Sequence, residues 1–468
     1  MVKNVKRVHF MGIGGSAMAG VAILAKKFGF EVSGCDLQKE TAYSDTLTKF
    51  GIKPFLGHDI SHLKDVDILA ASPAILSTQP PSSEIVEARK QGILMTWQEF
   101  QGKYLQKDKM VIAIAGTHGK STVTAMVGLI LESGGLDPIV EVGALVPQWR
   151  ATVRFGHSKY FICEADEFNN NFLHYSPSII IINNLEMDHP EFFHNLEEFT
   201  AAFKKFIQKI KEPKILIVNE ENQGVQKLLT EMKEWLTKEK VKIIGYFLQR
   251  KFNFPFAAEY QGEIIQQIPL FTQFRVKNQI FNLKVPGLHY VANALGAMAC
   301  GRELGISPEK IKEALENFSG VERRFEMIGE EKGIKVYDDY AVHPTAVAAT
   351  LQAARQKYPQ QKIWAVFEPH QYSRLKLFLN EFAQTLKKAD QVIVTAIYPG
   401  REKIDPTIKS ADLVDKIGDK AEYLKDFEEV AEKIKQKAQK GDVVIVFGAG
   451  KSYLLSKMIL EKWAILKK

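Results

Sequence analysis

Residues 111–131, VIAIAGTHGKSTVTAMVGLIL, set a β-branched apolar run directly before a glycine loop and a helical pattern. Such a run predicts a strand buried on both faces, and the pattern after it predicts a helix packed back along the same sheet. The loop, Gly116-Thr117-His118-Gly119-Lys120-Ser121, departs from the usual G-x-x-x-x-G-K-[ST] spacing, because Ile114 stands five positions before Gly119 and the first glycine is Gly116. The physics survives the shortening. N–H groups of the turn and the first helical turn converge, and the helix dipole favours an anion there. Lys120 can neutralise phosphate oxygens and the Ser121 hydroxyl can ligate Mg²⁺, so residues 116–122 predict a nucleotide site. Lys120 itself reads as an exposed loop lysine.

The same strand–helix rhythm runs through the 468 residues, enough for about three domains. Residues 1–108 alternate short apolar runs (RVHFMGIGG, FEVSGCD, VDILAAS) with helical stretches such as SAMAGVAILAKKFG, a βαβ rhythm that predicts a parallel sheet. QGKYLQKDKM, residues 101–110, is polar and reads as a linker. Residues 109–319 contain MVIAIAG, KYFICEAD, SIIIINN and KILIVN, with LEEFTAAFKKFIQKIKE as a helix between the last two. Alternation over 241–284, in VKIIGYFLQRKFNF and QFRVKNQIFNLKV, predicts an antiparallel patch. Residues 320–468 return to α/β with GIKVYDDY, KIWAVFEP, DQVIVTAIYP and DVVIVFGAG. The expected fold is three consecutive α/β domains: Rossmann-like, central phosphate-loop domain with a parallel sheet and small antiparallel patch, and Rossmann-like again.

Two further stretches bear on the loop. FICEADEFNNNF ends one strand with Glu164, Asp166 and Glu167, and IIIINNLEMDHP ends another with Glu186, Asp188 and His189. In an open parallel sheet the strand carboxyl ends share one crevice, where carboxylates and an imidazole can hold Mg²⁺.

AGTHGKST, EADE and NNLEMDH resemble the central ATPase domain of the Mur ligases, the cytoplasmic amide-bond-forming enzymes of peptidoglycan synthesis, and the resemblance extends along the whole chain. HFMGIGGSAMAG and SPAI are similar to the family's UDP-sugar domain; PGLHYVANA, GVERRFE, DDYAVHPTAV, FEPHQYSR, IYPGRE and GDVVIVFGAG resemble its later motifs in order. The resemblance implies ATP held by Gly116, Thr117, His118, Gly119, Lys120, Ser121 and Thr122, with Asn293 at the adenine. It implies Mg²⁺ on Ser121, Glu164 and His189, and a UDP-sugar over Gly12, Gly14, Gly15, Asp36, Ser72 and Ala74. Arg324 and Asp339 would act from the third domain as it closes, and His343 would sit where the amino acid enters. The chain departs from the family pattern at Tyr290, Val342, Lys451 and Asn170. Its motifs are most similar to the members that attach L-alanine to UDP-N-acetylmuramate. NNLEMDH is shared with the members that attach a recycled tripeptide, but the insertion those carry after EADE is missing here.

Gly12-x-Gly14-x-x-Ala17 with Asp36 at the next strand end also reads as a dinucleotide fingerprint, which makes an NAD(P)-dependent oxidoreductase the alternative of another class. A non-catalytic nucleotide-binding module fits poorly with a lysine, a serine and carboxylates all present at the phosphate site. The net charge of +7 is spread over helical faces without an aromatic-interleaved basic stripe, so no nucleic-acid partner is expected. No run approaches a membrane span, and MVKNVKRVHFMGIGG enters a strand without a signal-peptide pattern, so a cytoplasmic protein, monomer or homodimer, is expected. Cys35, Cys163 and Cys300 read as buried free thiols, their spacing matching neither a disulfide framework nor a zinc motif.

Overall fold

The computed structural model of the chain describes residues 5–39, 41, 43–77, 80–249 and 258–464. The chain forms two compact units. The first comprises Met1–Glu186, Glu197–Gly262 and Asn293–Asn317; the second comprises Met187–Leu196, Glu263–Ala292 and Phe318–Lys468.

The first unit opens with a parallel five-stranded sheet. Its strands are β1 (Arg7–Met11), β2 (Glu31–Asp36), β3 (Phe55–Leu56), β4 (Ile68–Ala71) and β5 (Leu94–Thr96), in the order β3-β2-β1-β4-β5. The reversal of strand order lies at β1 and β4, so the glycine turn after β1 opens at the crevice where such sheets bind ligands. The first half of the expected linker at 101–110 is instead helical: the Trp97–Phe100 helix runs on into a π-helical turn, Gln101–Leu105, with Gln101 and Leu105 buried. Lys103 is exposed, while Gln101 and Leu105 anchor the turn.

The central strands are β6 (Met110–Ala115), β7 (Ile139–Val146), β8 (Ala151–Arg154), β9 (Tyr160–Glu164), β10 (Ile179–Ile182), β11 (Ile215–Asn219), β12 (Lys242–Phe247) and β13 (Ala258–Gln267). Within this unit the order is β12-β11-β10-β6-β9-β7-β8, with β13 parallel to β12. Residues 111–115 and 179–182 are buried throughout, as continuous β-branched runs in a parallel sheet must be. The antiparallel patch is therefore smaller than the alternation over 241–284 predicts. β12 is buried along most of its length and pairs in parallel with β11, and residues 250–257 lie outside the described residues.

The second unit contains the antiparallel hairpin of β14 (Thr272–Val276) and β15 (Gln279–Leu283). Its six-stranded sheet comprises β16 (Glu326–Glu331), β17 (Ile334–Asp339), β18 (Ile363–Phe367), β19 (Gln391–Val394), β20 (Ala421–Tyr423) and β21 (Val443–Phe447), ordered β16-β17-β21-β18-β19-β20. β16 is antiparallel and the rest are parallel. Along β21, Val443, Ile445 and Phe447 join one core and Val444 and Val446 the other, so helices cover both faces. Among the described residues no helix is long and apolar enough to cross a membrane. The three cysteines are free and buried.

The helix Ser16–Lys27 packs against β8 through Gly20, where an added Cβ would lie 2.8 Å from Val153 Cγ1 and 3.1 Å from Thr152 Oγ1. Both neighbours are β-branched and stiff. Gly20→Val is expected to destabilise the protein by about 1–3 kcal/mol through overpacking, read as a lower urea midpoint with an unchanged m-value.

Candidate active site

β6, β9 and β10 are adjacent and parallel, so their carboxyl ends open on one edge. From β6 comes the glycine loop, from β9 Glu164, Asp166 and Glu167, and from β10 Asn183, Asn184 and Glu186. Gly116 and Gly119 have φ of 128° and 83°, in the region that favours glycine. The loop's polar backbone is held by the neighbouring strand end. His118 N–H donates to Asn184 Oδ1 at 2.7 Å, and the His118 carbonyl accepts from Asn183 and Asn184 Nδ2 at 3.2 Å each. The Thr117 hydroxyl donates to the Glu186 carbonyl and accepts from its N–H, both at 2.9 Å.

Lys120 is not an exposed loop lysine. Its Nζ donates to both Glu167 oxygens, at 3.0 and 2.9 Å, and to the Gly116 carbonyl at 2.7 Å. Burial opposes the charge, but Glu167, Asp166 and Glu164 together outweigh it and raise the lysine pKa. Ser121 and Thr122 are buried in the first turn of the Lys120–Ser133 helix, whose N-cap, Gly119, offers no side-chain bond. The Asn293 amide lies against Gly119, where an added Cβ would meet its Oδ1 at 2.8 Å. Glu164 accepts from the Gly143 N–H. Asp166 accepts from Asn171 Nδ2 at 3.3 Å. The chain turns just after, with Asn169 and Asn170 at φ of 52° and 56°, a conformation that asparagine tolerates better than aspartate's bulkier competitors.

A second group gathers at the carboxyl ends of β1, β2 and β4. The Cys35 carbonyl accepts from Gly12 and Ile13 N–H at 2.8 and 3.1 Å, and Asp36 Oδ2 accepts from Gly14 N–H at 2.9 Å. Ser72 Oγ caps the short Pro73–Leu76 helix through Ala74 N–H. Three glycines here differ in kind. Gly12 has φ 85°, and a Cβ on Gly14 would strike Thr41 Cγ2 at 2.4 Å and Asp36 Oδ2 at 2.8 Å. Gly15 has φ −76° and ψ 150°, and a Cβ there would meet only the Gly12 carbonyl, at 3.9 Å. The fold requires the first two to be glycine and does not require the third.

His189, Arg324, Asp339 and His343 belong to the second unit. His189 Nδ1 lies 3.2 Å from Glu191 Oε1. Its neighbour Asp188 takes Nε and Nη2 of Arg374 at 2.9 and 2.7 Å. Burial alone would raise the Asp188 pKa, yet Arg374, His189 and His343 hold it well below the usual carboxylate range. His343 Nδ1 accepts from Thr345 N–H, capping the Pro344–Lys357 helix, which leaves Nε2 to donate to the Met187 carbonyl at 3.2 Å. Asp339 accepts from Phe325 N–H, Ala341 N–H and the Thr350 hydroxyl at 2.8–2.9 Å, and burial pushes its pKa up to about 6 against the pull of Arg324. The Arg324 guanidinium lies 5.2 Å from the Tyr340 ring centroid, and Tyr290 donates to the Arg324 carbonyl at 2.9 Å. Val342 is half-buried and Lys451 exposed.

The structure thus brings together residues 116–122, Glu164 and Asn293 at one edge, and Gly12, Gly14, Gly15, Asp36, Ser72 and Ala74 at another. Sequence reasoning missed Glu167 as the partner of Lys120, the two asparagines that hold the loop, and the Asp188–Arg374 pair. The motifs EADE, NNLEMDH and FEPHQYSR contain all of them, but nothing in linear spacing pairs 120 with 167 or 188 with 374.

Residues 7–103 match the Mur ligase family catalytic domain, residues 114–301 the Mur ligase middle domain, and residues 323–450 the Mur ligase glutamate ligase domain. The chain is 38% identical over 463 residues to the UDP-N-acetylmuramate–L-alanine ligase of Acetivibrio thermocellus, covering 97% of this chain and 96% of that one. It is 36% identical to the same enzyme of Alkaliphilus metalliredigens, covering 98% of each. Among solved structures it is similar to the UDP-N-acetylmuramate-alanine ligase of Thermotoga maritima, with TM-score 0.81, 27% identity, and 98% and 100% of the two chains covered. It shares its fold with a murein peptide ligase of Psychrobacter arcticus, at TM-score 0.72 and 24% identity, over 97% and 98%.

Lys120→Ala leaves Glu167, which is fully buried, without its lysine, and is expected to destabilise the protein by about 3–5 kcal/mol. Adding Glu167→Gln removes the buried charge and should restore most of the loss, as read by urea unfolding of both variants.

Arg374→Leu should destabilise by a similar amount at pH 7, about 3–5 kcal/mol. The sign with pH follows from the depressed Asp188 pKa. Its stabilisation is complete above the unfolded value near 3.9 and is lost as pH falls below it. Without Arg374, burial raises the variant's Asp188 pKa, so the gap between wild type and variant should begin to narrow above about pH 4 and narrow further below it, which unfolding at pH 7, 5 and 3 measures.

Proposed function

The chain belongs to the Mur ligase family, and from that premise we propose that it joins L-alanine to the lactyl carboxylate of UDP-N-acetylmuramate, consuming ATP and forming ADP and phosphate. The observation that carries the reading is the prebuilt glycine loop with Lys120, beside three carboxylates, in a chain whose full-length relatives carry that name. The UDP-sugar is assigned to Gly12, Gly14, Gly15, Asp36, Ser72 and Ala74. Gly15 supports this: the fold leaves open space there, and close approach of a diphosphate to the uncapped helix Ser16–Lys27 explains the missing side chain. The tripeptide-adding and dehydrogenase alternatives have no comparable support.

A carboxylate is a poor acyl donor. Attack of the lactyl carboxylate on the γ-phosphoryl of ATP gives an acyl phosphate and ADP. The alanine amine then adds to the acyl carbon, and the tetrahedral adduct expels phosphate. Anions meet in the first step, so the chain's contribution is electrostatic and positional. Lys120 and the loop N–H groups would face the β- and γ-phosphates, and Asn293, which lies against Gly119, would serve the adenine as the resemblance implies. The Ser121 hydroxyl and Glu164 are oxygen donors of the kind Mg²⁺ prefers, and the ion would supply charge neutralisation at the phosphates. Arg324, Asp339, His189 and His343 are assigned their parts by the family resemblance. The two hydrogen bonds of His343 suit a residue that orients its neighbours.

Phosphate release with ATP, Mg²⁺, UDP-N-acetylmuramate and each of L-alanine, L-serine, glycine and the tripeptide tests the assignment. The highest kcat/KM is expected with L-alanine. Release only with the tripeptide would move the chain to the recycling branch, and NAD(H) binding without UDP-sugar binding would overturn the ligase reading. The Lys120→Ala/Glu167→Gln variant should fold and still lose about 10³-fold or more in kcat.

Gly15→Val should leave stability within about 0.5 kcal/mol of wild type, as an open surface position allows. Its KM for UDP-N-acetylmuramate is expected to rise about tenfold or more, a loss of ~1.4 kcal/mol or greater, while KM for ATP is unchanged. An unaltered KM for the UDP-sugar would move the diphosphate away from Gly15.

A further inference from the structure

Beneath the glycine turn, the amino-terminal sheet buries a cluster that the ligase reaction does not use. His9 lies on β1, Cys35 on β2, His62 in the short 3₁₀ turn Ile60–Leu63, and Glu84 in the first turn of the helix Ser83–Gln91. His9, Cys35 and Glu84 are fully buried. One donor atom from each of the four residues lies within 4.8 Å of all the others.

The orientations are those of ligands. His9 Nδ1 is taken by Ser33 Oγ at 2.8 Å, which turns Nε2 toward Glu84 Oε1 at 3.4 Å. His62 Nδ1 points at Glu84 Oε2 from 3.6 Å. Neither His9 Nε2 nor His62 Nδ1 has a hydrogen-bond partner among the described residues, although both atoms are buried. Cys35 Sγ lies 3.7 Å from Glu84 Oε2. A tetrahedral zinc ion with Zn–N and Zn–O near 2.0 Å and Zn–S near 2.3 Å has ligand–ligand edges of about 3.3–3.6 Å. The three separations from the Glu84 carboxylate, 3.4, 3.6 and 3.7 Å, are close to those edges, and the other pairs lie within 4.8 Å. Two imidazoles, a thiol and one carboxylate suit a borderline-soft transition metal and not Mg²⁺ or Ca²⁺.

We propose that His9 Nε2, Cys35 Sγ, His62 Nδ1 and Glu84 bind one Zn²⁺ as a closed, four-ligand structural site under the glycine turn. Binding displaces the Cys35 thiol proton, and any proton on Glu84, to solvent. Ser33 fixes the His9 tautomer, and His58, whose Nδ1 lies 3.2 Å from the Cys35 sulfur, is an outer partner of the thiolate. With no open coordination position the ion would be structural. It would fasten β1, β2, the 60–63 turn and the 83–91 helix together, and the carbonyl of its own ligand Cys35 holds Gly12 and Ile13. The four ligands come from four separate elements, which is why sequence spacing showed no zinc motif.

The full-length protein, stripped with chelator, reloaded with Zn²⁺ and desalted, is to be analysed for metal beside Cys35→Ser and His62→Asn. His62 is half-buried on a short turn, so its variant keeps the fold if Cys35→Ser does not. Wild type should retain one more zinc per chain than either variant. Loss of a ligand should weaken binding by more than the roughly 10–100-fold that an outer partner costs. Zn²⁺ should raise the melting temperature of wild type and not of His62→Asn, and Co²⁺ should give a thiolate charge-transfer band that requires Cys35. Equal zinc retention in wild type and His62→Asn, or a cobalt spectrum without that band, would overturn the site.

Discussion

The hydrogen bonds between the end of β10 and the glycine loop after β6 are what the active edge depends on. Asn183, Asn184 and Glu186 give partners to the backbone of His118 and the hydroxyl of Thr117. A loop with two glycines in the left-handed region has lost the stiffness that side chains supply, and on entropy alone it would sample many shapes. Tying it to the next strand restores one shape. The remaining N–H groups can then face a phosphate without reorganising when the charge moves, which is the condition under which such groups stabilise a transition state. The parallel pairing of β6 with β9 and β10 is the prior requirement, since it brings three strand ends to one edge.

The second unit solves a related problem with buried charge. Asp339 ends β17 and receives three hydrogen bonds from the 325–350 region, while Asp338 beside it takes Arg323 Nε at 2.7 Å. Two adjacent carboxylates thus point to opposite faces, as alternation along a strand demands, and each fixes a different segment. Arg323 also donates to the Gly448 carbonyl and to Ser452, joining β17 to the turn after β21. The motifs GVERRFE, DDYAVHPTAV and GDVVIVFGAG are consequently one structural assembly, although up to 129 positions separate Arg323 from Ser452.

Much of this was legible in the sequence, and the reasons differ by feature. Buried parallel strands declare themselves as β-branched runs, so residues 110–116, 178–184 and 442–447 could be read directly. The strand-loop-helix around Lys120 could be read because its chemistry is local. Alternation misled at 241–247, where a strand buried at the parallel sheet's interior happens to interleave lysine and glycine. Polarity misled at 101–110, where Gln101 and Leu105 are the buried ends of a helical turn that exposes Lys103. What linear reading could not supply was pairing across distance: Lys120 with Glu167, Asp188 with Arg374, and the Cys35 cluster drawn from four elements. Each depends on strand order, and strand order is settled by packing of whole layers rather than by any short stretch.

The Lys120–Glu167 pair also changes how the loop must work. An ammonium has three donors, and here they go to the Gly116 carbonyl and the two Glu167 oxygens. The lysine is therefore already oriented and charged before a phosphate arrives. Glu167 is fully buried, so the geometry of the pair is set by the fold and not by solvent. The loop is closed on itself, with its positive charge held against the protein's own acid.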